Sequence, residues 1–368
     1  TTEFKNFNSE GSNINAMLDV LAYNTYYMSM YMNMLFGETF IDSATQRSSL
    51  VSALKPIGFV PKSVTAAKLL VDIQIPARDG EVQTQILLPP YSSFVGGGFN
   101  FVNIDPCTLR LQEGSFVASN VLLHQGTMNT HRFIVSDPDE FFVIPSSKID
   151  TTTIKVRVFQ NLSVYERLKN DANLDKVYTL ATDLFEKDED AQIFFVQEDN
   201  VTGYFSLFFG DGTIGKRLSA GNIIETTFIS SDGLDGNDIY GVIFYRSAAG
   251  DTTIGGYSTS EITITTPSQE VRSFDGSNKQ PNSFLRKFGP YHFEAQNRLV
   301  TQSDYEYALN SFFSNIQCCK VWGGEDNDPP HYSAAMAMVK LSNQEILSPL
   351  QKSLVTQYIK SKSVVGTD

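Results

Sequence analysis

Hydrophobic positions change their period along the chain, and each change marks a different kind of structure. The first sixty residues have helical spacing, with Ser43-Ala44-Thr45-Gln46 reading as a capping box ahead of Leu50, Val51 and Leu54 on one helical face. Pro56 and Gly58 stop that helix. An earlier helix, capped by Ser12 or Asn13, is unusual: Met17, Leu18, Leu21, Met28, Tyr31, Met32 and Leu35 occupy more than one of its faces. Tyr23, Tyr26, Tyr27, Met30, Met34 and Phe36 fill the others. A helix apolar nearly all round must be covered on several sides.

From about Lys68 to Thr265 the period falls to two. Val71-Asp72-Ile73-Gln74-Ile75 and Ile154-Lys155-Val156-Arg157-Val158 alternate apolar and polar residues as half-buried strands do, and Gly, Pro, Asn and Asp separate most such segments. Roughly a dozen strands are too many for one small sheet. Two β-rich units are therefore expected, divided by the polar stretch 165–190, which holds one short helix and the solvated charge run Glu186-Lys187-Asp188-Glu189-Asp190.

The last eighty residues are mixed. Thr301-Gln302-Ser303-Asp304 is a capping box, followed at helical spacing by Tyr305, Ala308, Leu309, Phe312, Phe313 and Ile316. Strands are expected at 317–322 and 334–341, then a helix opened by Ser348-Pro349 and carrying Leu354, Val355, Tyr358 and Ile359. This α-β-β-α order is most of a ferredoxin-like unit, so a further strand is expected beyond Asp368. The fold class is α+β and β-rich. Its expected divisions are a helical assembly region 1–64, a first β-rich domain 65–165, a polar linker 166–190, a second β domain 191–280 and an α/β domain 281–368.

With 41% hydrophobic and 19% charged residues, the composition is that of a globular chain, not a disordered one. The greasiest segment, Met17 to Phe36, is interrupted by Asp19, Asn24, Thr25, Ser29 and Asn33, so no membrane span is expected. A formal charge of −13 without a basic cluster argues against nucleic acid as partner. The three cysteines, Cys107 and the adjacent Cys318 and Cys319, are odd in number and lack metal spacing, and read as buried reduced thiols of a cytosolic protein.

Candidate chemistry is sparse. His124, His131, His292 and His331 lie in unrelated settings, without the spacing that puts two metal ligands on one helical face. Gly96-Gly97-Gly98 lies between two strand-like segments, where a phosphate cradle would need a helix, and reads as a hairpin. Phe209-Gly210-Asp211-Gly212 and Asp232-Gly233-Leu234-Asp235-Gly236-Asn237-Asp238 suggest calcium, but Leu234 stands where alternation requires an oxygen ligand, so turns are the better reading. Glu325-Asp326-Asn327-Asp328-Pro329-Pro330 groups carboxylates in a proline-stopped loop with nothing to desolvate them, and reads as a rigid acidic surface. No catalytic residue, metal or cofactor is expected.

These same residues carry a resemblance. The run from Phe209 to Gly215, with Gly221-Asn222, Asp232-Gly233 and Gly236-Asn237, resembles the core of the baseplate J-like family of contractile phage tails. Arg298 to Glu306 leading to Val321-Trp322-Gly323-Gly324 and the acidic loop, with Asp19 to Tyr27, Phe40 to Ala44 and Val60 to Ser63, resembles the inner-ring wedge subunits of T-even-like phages. Leu218 stands where that pattern has proline, and Ser333 where it has glycine. The resemblance implies a structural subunit of the virion, assembled in the host cytoplasm, that pairs with itself within a wedge and joins wedges into a ring. It also implies contacts with other wedge proteins and with hub and sheath-initiating proteins. Partner-binding residues are expected at Met17, Leu21, Tyr27, Met28, Tyr31, Met32 and Leu35, and at Trp322, Glu325, Asp326 and Asp328. The rival readings are a baseplate-associated glycan hydrolase, for which the sequence offers no carboxylate pair, and a secreted adhesin binding sugar or calcium through its Asp-Gly loops.

Overall fold

The computed structural model describes residues 13–169, 177–181, 188–247, 250–267, 271–296, 298–313, 316–332, 334–341, 347 and 349–363. Two helices open it, α1 (Asn13–Thr39) and α2 (Arg47–Leu54). A 3-10 turn over Lys55–Ile57, containing Pro56 and followed by Gly58 at φ 74°, ends α2 where the sequence predicts. Asn13 is the first helical residue of α1, and Ser12 lies outside the described residues. The capping box expected at Ser43 does not form. Ser43 Oγ donates instead to the Gly37 carbonyl at 2.6 Å. The chain folds back between the helices, so the carboxylate of Glu38 reaches the amides of Thr45 at 2.9 Å and Gln46 at 3.2 Å. A long-range carboxylate thus takes the place of the local hydroxyl.

The alternating stretch forms β1 (Lys68–Pro76), β2 (Gln85–Leu88), β3 (Ser93–Gly96), β4 (Phe99–Asn103), β5 (Cys107–Gln112), β6 (Ser115–Gln125), β7 (Thr127–Ile134), β8 (Phe142–Ile144) and β9 (Ile149–Phe159). The short helix α3 (Leu162–Leu168) is capped by Asn161, whose side chain accepts from the Val164 amide. Then come β10 (Val177–Leu180), β11 (Ile193–Glu198), β12 (Phe205–Phe209), β13 (Ile223–Ser230), β14 (Ile243–Arg246), β15 (Thr253–Ile254), β16 (Tyr257–Ser258) and β17 (Thr263–Thr265).

The first sheet is ordered β14-β3-β4-β6-β1-β17, with β5 also on β6 and β2 on β5. It curls until β14 and β17 approach each other, enclosing Leu69, Ile73, Phe94, Phe101, Phe116 and Tyr257. Gly97 and Gly98, both at positive φ, turn the β3-β4 hairpin that the glycine run predicts. The second sheet is ordered β7-β13-β9-β10-β11-β12-β8, antiparallel except for β10 against β11, around Phe142, Phe194, Phe205 and Leu207. Leu218, the departure from the family pattern, is 4% exposed and fills this second core.

The expected split at 166–190 does not separate the sheets. Strands β7, β8 and β9 precede that stretch yet belong to the second sheet, while β14 and β17 follow it yet complete the first. Local polarity reports exposure, whereas sheet membership is set by pairing between distant segments. In the charge run, Asp188, Glu189 and Asp190 are exposed; Glu186 and Lys187 lie outside the described residues.

One strand belongs to both sheets. β6 and β7 are continuous through Gly126, whose φ of 132° favours glycine. The Gly126 amide donates to Asn100 of the first sheet at 2.8 Å, and Thr127 already pairs with Ser230 of the second. The Asp232-Gly233 segment locks this handover. Gln125 Oε1 accepts from Ser231 Oγ at 2.6 Å and from the Asp232 amide at 3.0 Å.

His124, beside this junction, has a buried Nδ1 without a partner. Desolvation, and then the charge of Lys68, push its pKa from 6.5 down to about 4. The unfolded chain therefore takes up a proton near its ordinary pKa while the folded chain does not, so stability present above pH 6.5 is lost as pH falls towards 4. The expected loss is roughly 3 kcal/mol, read as a pH-dependent urea midpoint that His124→Leu flattens.

After β17 come α4 (Asn282–Ala295), α5 (Gln302–Phe312), β18 (Ile316–Gly323), β19 (Ala335–Leu341) and α6 (Pro349–Lys360). The box at Thr301 forms as read: its side chain accepts from the Asp304 amide, and Asp304 Oδ2 accepts from the Thr301 amide at 2.8 Å. Tyr305, Ala308, Leu309 and Val321 make the core of this unit, with Val355, Tyr358 and Ile359 of α6 packed on it. Leu354 is exposed, and Ser348 lies outside the described residues. Sequence spacing does not announce α4, because Gly289-Pro290 interrupts it. All three cysteines are free, but none is buried: Cys318 is exposed on β18, and Cys107 and Cys319 are half-buried. A two-stranded sheet covered on one face leaves alternate side chains in solvent.

Candidate protein interface

Helix α1 has 27 residues, about 40 Å at 1.5 Å per residue, and none of them is buried. Long unbranched side chains suit the helix, and Asp19 and Glu38 are its only charged residues. Met17, Met32, Leu35 and Phe36 are each 69% exposed.

Most of the apolar residues form two seams, while Leu18, Tyr26, Met32 and Phe36 lie outside both. Ile14, Leu21, Met28 and Leu35 recur every seven residues, with Met17 and Tyr31 between them. Val20, Tyr27 and Met34 repeat with the same spacing, joined by Ala16, Tyr23 and Met30, about 120° around the axis. Asn15, Asp19, Ser29 and Asn33 keep a narrow polar stripe that Tyr26 interrupts. The tyrosines stack along the second seam and towards the first, with ring centroids 5.7 Å apart for Tyr23–Tyr27 and 6.4 Å for Tyr27–Tyr31. Such heptad seams suit knobs-into-holes packing. No described helix is long and apolar enough to cross a membrane.

The base of α1 is fixed. Bonds from Thr45 hold the Glu38 carboxyl down at about 2, well below the usual carboxylate range. Ala44 is buried, and α4 grips this elbow through Arg286 Nη2 to the Ala44 carbonyl at 2.6 Å and Asn282 Nδ2 to the Thr45 carbonyl at 3.0 Å.

The second candidate set stands apart, at the end of β18 and in the loop that follows it. Trp322 is half-buried and its Nε1 donates to Asn327 Oδ1 at 2.9 Å. Buried Gly324 donates to the Ala334 carbonyl at 2.7 Å and accepts from the His331 amide at 2.8 Å. A side chain there would meet the His331 backbone, so only glycine fits. Glu325, Asp326 and Asp328 point from this pinned loop into solvent.

Among the described residues nothing comparable is built for chemistry. A cavity of about 540 Å³ lies among Tyr305, Leu309, Val321, Met338, Val355 and Ile359, and its charged lining residues among those described are Lys352 and Lys360. Its lining has no carboxylate, histidine or thiol among the described residues. In the Asp-Gly loops, Asp211 and Asp232 spend their carboxylates internally. Asp211 Oδ1 accepts from the amides of Thr213 and Ile214, and Asp232 binds Lys148 at 2.7 Å and Gln125 at 3.0 Å. No group of three or more metal-ligating residues is present among the described residues.

Residues 1–59 match the family model described as baseplate wedge protein gp6-like, helical domain, and 301–367 match baseplate structural protein gp6, C-terminal domain I. The baseplate wedge protein gp6 of Enterobacteria phage T4 is 23% identical over 381 residues, covering 97% of this chain. Over the two matched stretches the chain is similar to gp6-like baseplate wedge proteins. It spans about half of that relative, 54% of its length. The matched helical domain holds α1 and α2, and the matched C-terminal domain holds α5, β18, β19 and α6, so each candidate set falls within a wedge-protein domain. A cryo-EM structure of the anti-feeding prophage baseplate aligns over 98% of this chain and 71% of its own at 11% identity, with a TM-score of 0.30, too low to carry a structural argument.

Proposed function

We propose that this chain is a structural subunit of a contractile phage tail baseplate, and that α1 is the element its neighbours enclose. The observation that carries the reading is a 27-residue helix with no buried residue and two apolar seams. Each seam accommodates one packed helix, so α1 takes two neighbours at once. Pairing supplies α1 of a second copy to one seam, and another wedge protein fills the other. The assembly role thus belongs to the helical region 1–64, while Trp322 with Glu325, Asp326 and Asp328 offers a separate face for ring, hub or sheath-initiating contacts.

No catalytic step belongs to this reading. The place of action is the virion tail, after assembly in the host cytoplasm. Sedimentation of the chain, alone and mixed with other wedge proteins, tests the proposal. Self-association and mixed complexes are expected; a stable monomer that joins no wedge protein overturns it.

A further inference from the structure

The helices at the base of α1 have a hydrophobic core of their own. Leu50 and Leu54 of α2 and Leu285 of α4 are fully buried together, with Val51 and Phe59 beside them. Gly289 lets the α4 backbone lie against Leu54, where any side chain would collide. This core is distinct from that of the second sheet.

Where the helical module meets the second sheet, the junction is charged. Glu198, at the end of β11, is 1% exposed. Arg47, the first residue of α2, grips it with both prongs of its guanidinium, Nε to Oε1 at 2.7 Å and Nη2 to Oε2 at 2.9 Å. Its Nη1 also donates to the Gln280 carbonyl. Lys279, on the segment leading into α4, lies 2.9 Å from Glu198 Oε1 and donates to the Gly203 carbonyl at 2.6 Å. Asn200 Nδ2 adds a bond to Ser52 Oγ at 3.0 Å. A junction between two modules that already have cores can separate without exposing a large apolar face, because both sides of a polar contact regain water.

We propose that the Arg47–Glu198–Lys279 cluster is a releasable latch that sets the direction in which α1 leaves the β-rich body. Closed, it ties both ends of the helical module to one carboxylate: α2 through Arg47 and the approach to α4 through Lys279. Open, α1, α2 and α4, with α5 held to α4 by the 3.0 Å His292–Tyr307 bond, swing as a unit on the connectors 60–62 and 278–281, just outside the bridges that join Thr65 to Ser277 and Lys68 to Phe274. The bidentate fork gives the closed state a defined geometry, and the burial of Glu198 makes loss of its charge decisive, since two cations are then left facing each other.

Glu198→Gln in the full chain is the test, read by small-angle scattering and by protease cleavage of the two connectors. The expected result is a larger maximum dimension and connector cleavage faster by roughly a hundredfold or more, the scale set by unpairing a buried charge, with unchanged helicity and an unchanged melt of the β-rich body. Unchanged scattering and cleavage overturn the latch. A joint fall of helicity and β-body stability also overturns it, because the cluster is then a brace of one cooperative fold. If Glu198→Gln does not fold, Lys279→Met carries the same test: opening at an intact melting temperature supports the latch, and a closed variant overturns it.

Discussion

Met28→Asp and Tyr31→Asp are expected to abolish incorporation into wedges while the β-rich body melts at its usual temperature. Both side chains belong to the first seam of α1 and stand 61% and 57% exposed, so neither substitution removes a contact from the core of the chain. The helix itself loses little, about 0.5 kcal/mol of propensity. The effect falls on the neighbour: a carboxylate enclosed in an apolar seam without a partner costs several kcal/mol, and about 3 kcal/mol already weakens association more than a hundredfold. Co-purification with wedge proteins measures the first effect and circular dichroism the second. Normal assembly of both variants would show that the first seam faces solvent throughout.

Gly126→Ala is expected to destabilise the whole β-rich body. The new methyl would press on the Ser230 carbonyl oxygen and lie 2.6 Å from Ile229 Cγ2, both fixed in β13. The backbone there, at φ 132°, is also one that side chains resist. Backbone strain and overpacking together cost roughly 3 to 5 kcal/mol. Because this strand is shared, both sheets should lose stability in one urea transition. A midpoint like that of the unmodified chain would mean that β13 gives way easily.

What the sequence reveals here is what neighbouring residues decide among themselves. The Thr301-x-x-Asp304 box, the Gly97-Gly98 turn and the strands expected at 317–322 and 334–341 need only residues close in the chain; all are found, the strands at 316–323 and 335–341. The greasy surface of α1 was equally plain, since apolar residues all round a helix are a local property of its sequence. Partners distant in sequence were not legible. Glu38 caps the entry to α2 because the elbow folds back, and Ser43 is drawn away to Gly37. Helix α4 is held by Leu54 and by the elbow carbonyls, which outweigh its internal Gly289-Pro290. The Glu198 cluster escaped notice because Arg47, Glu198 and Lys279 come from three remote segments. The acidic loop, by contrast, was visible as a surface, although the pinning of Trp322 by Asn327 was not.

The return of β14 and β17 to the first sheet has a consequence for how the protein is made. When β6 leaves the ribosome, β3 has no outer neighbour and the core still lacks Phe244, Ile254 and Tyr257. The strands of the second sheet emerge before those pieces arrive, a wait on the order of ten seconds at usual elongation rates. Through that interval the nascent chain offers a bare strand edge backed by Phe94 and Phe101, the kind of surface that chaperones cover and that sticks to its own kind when they do not.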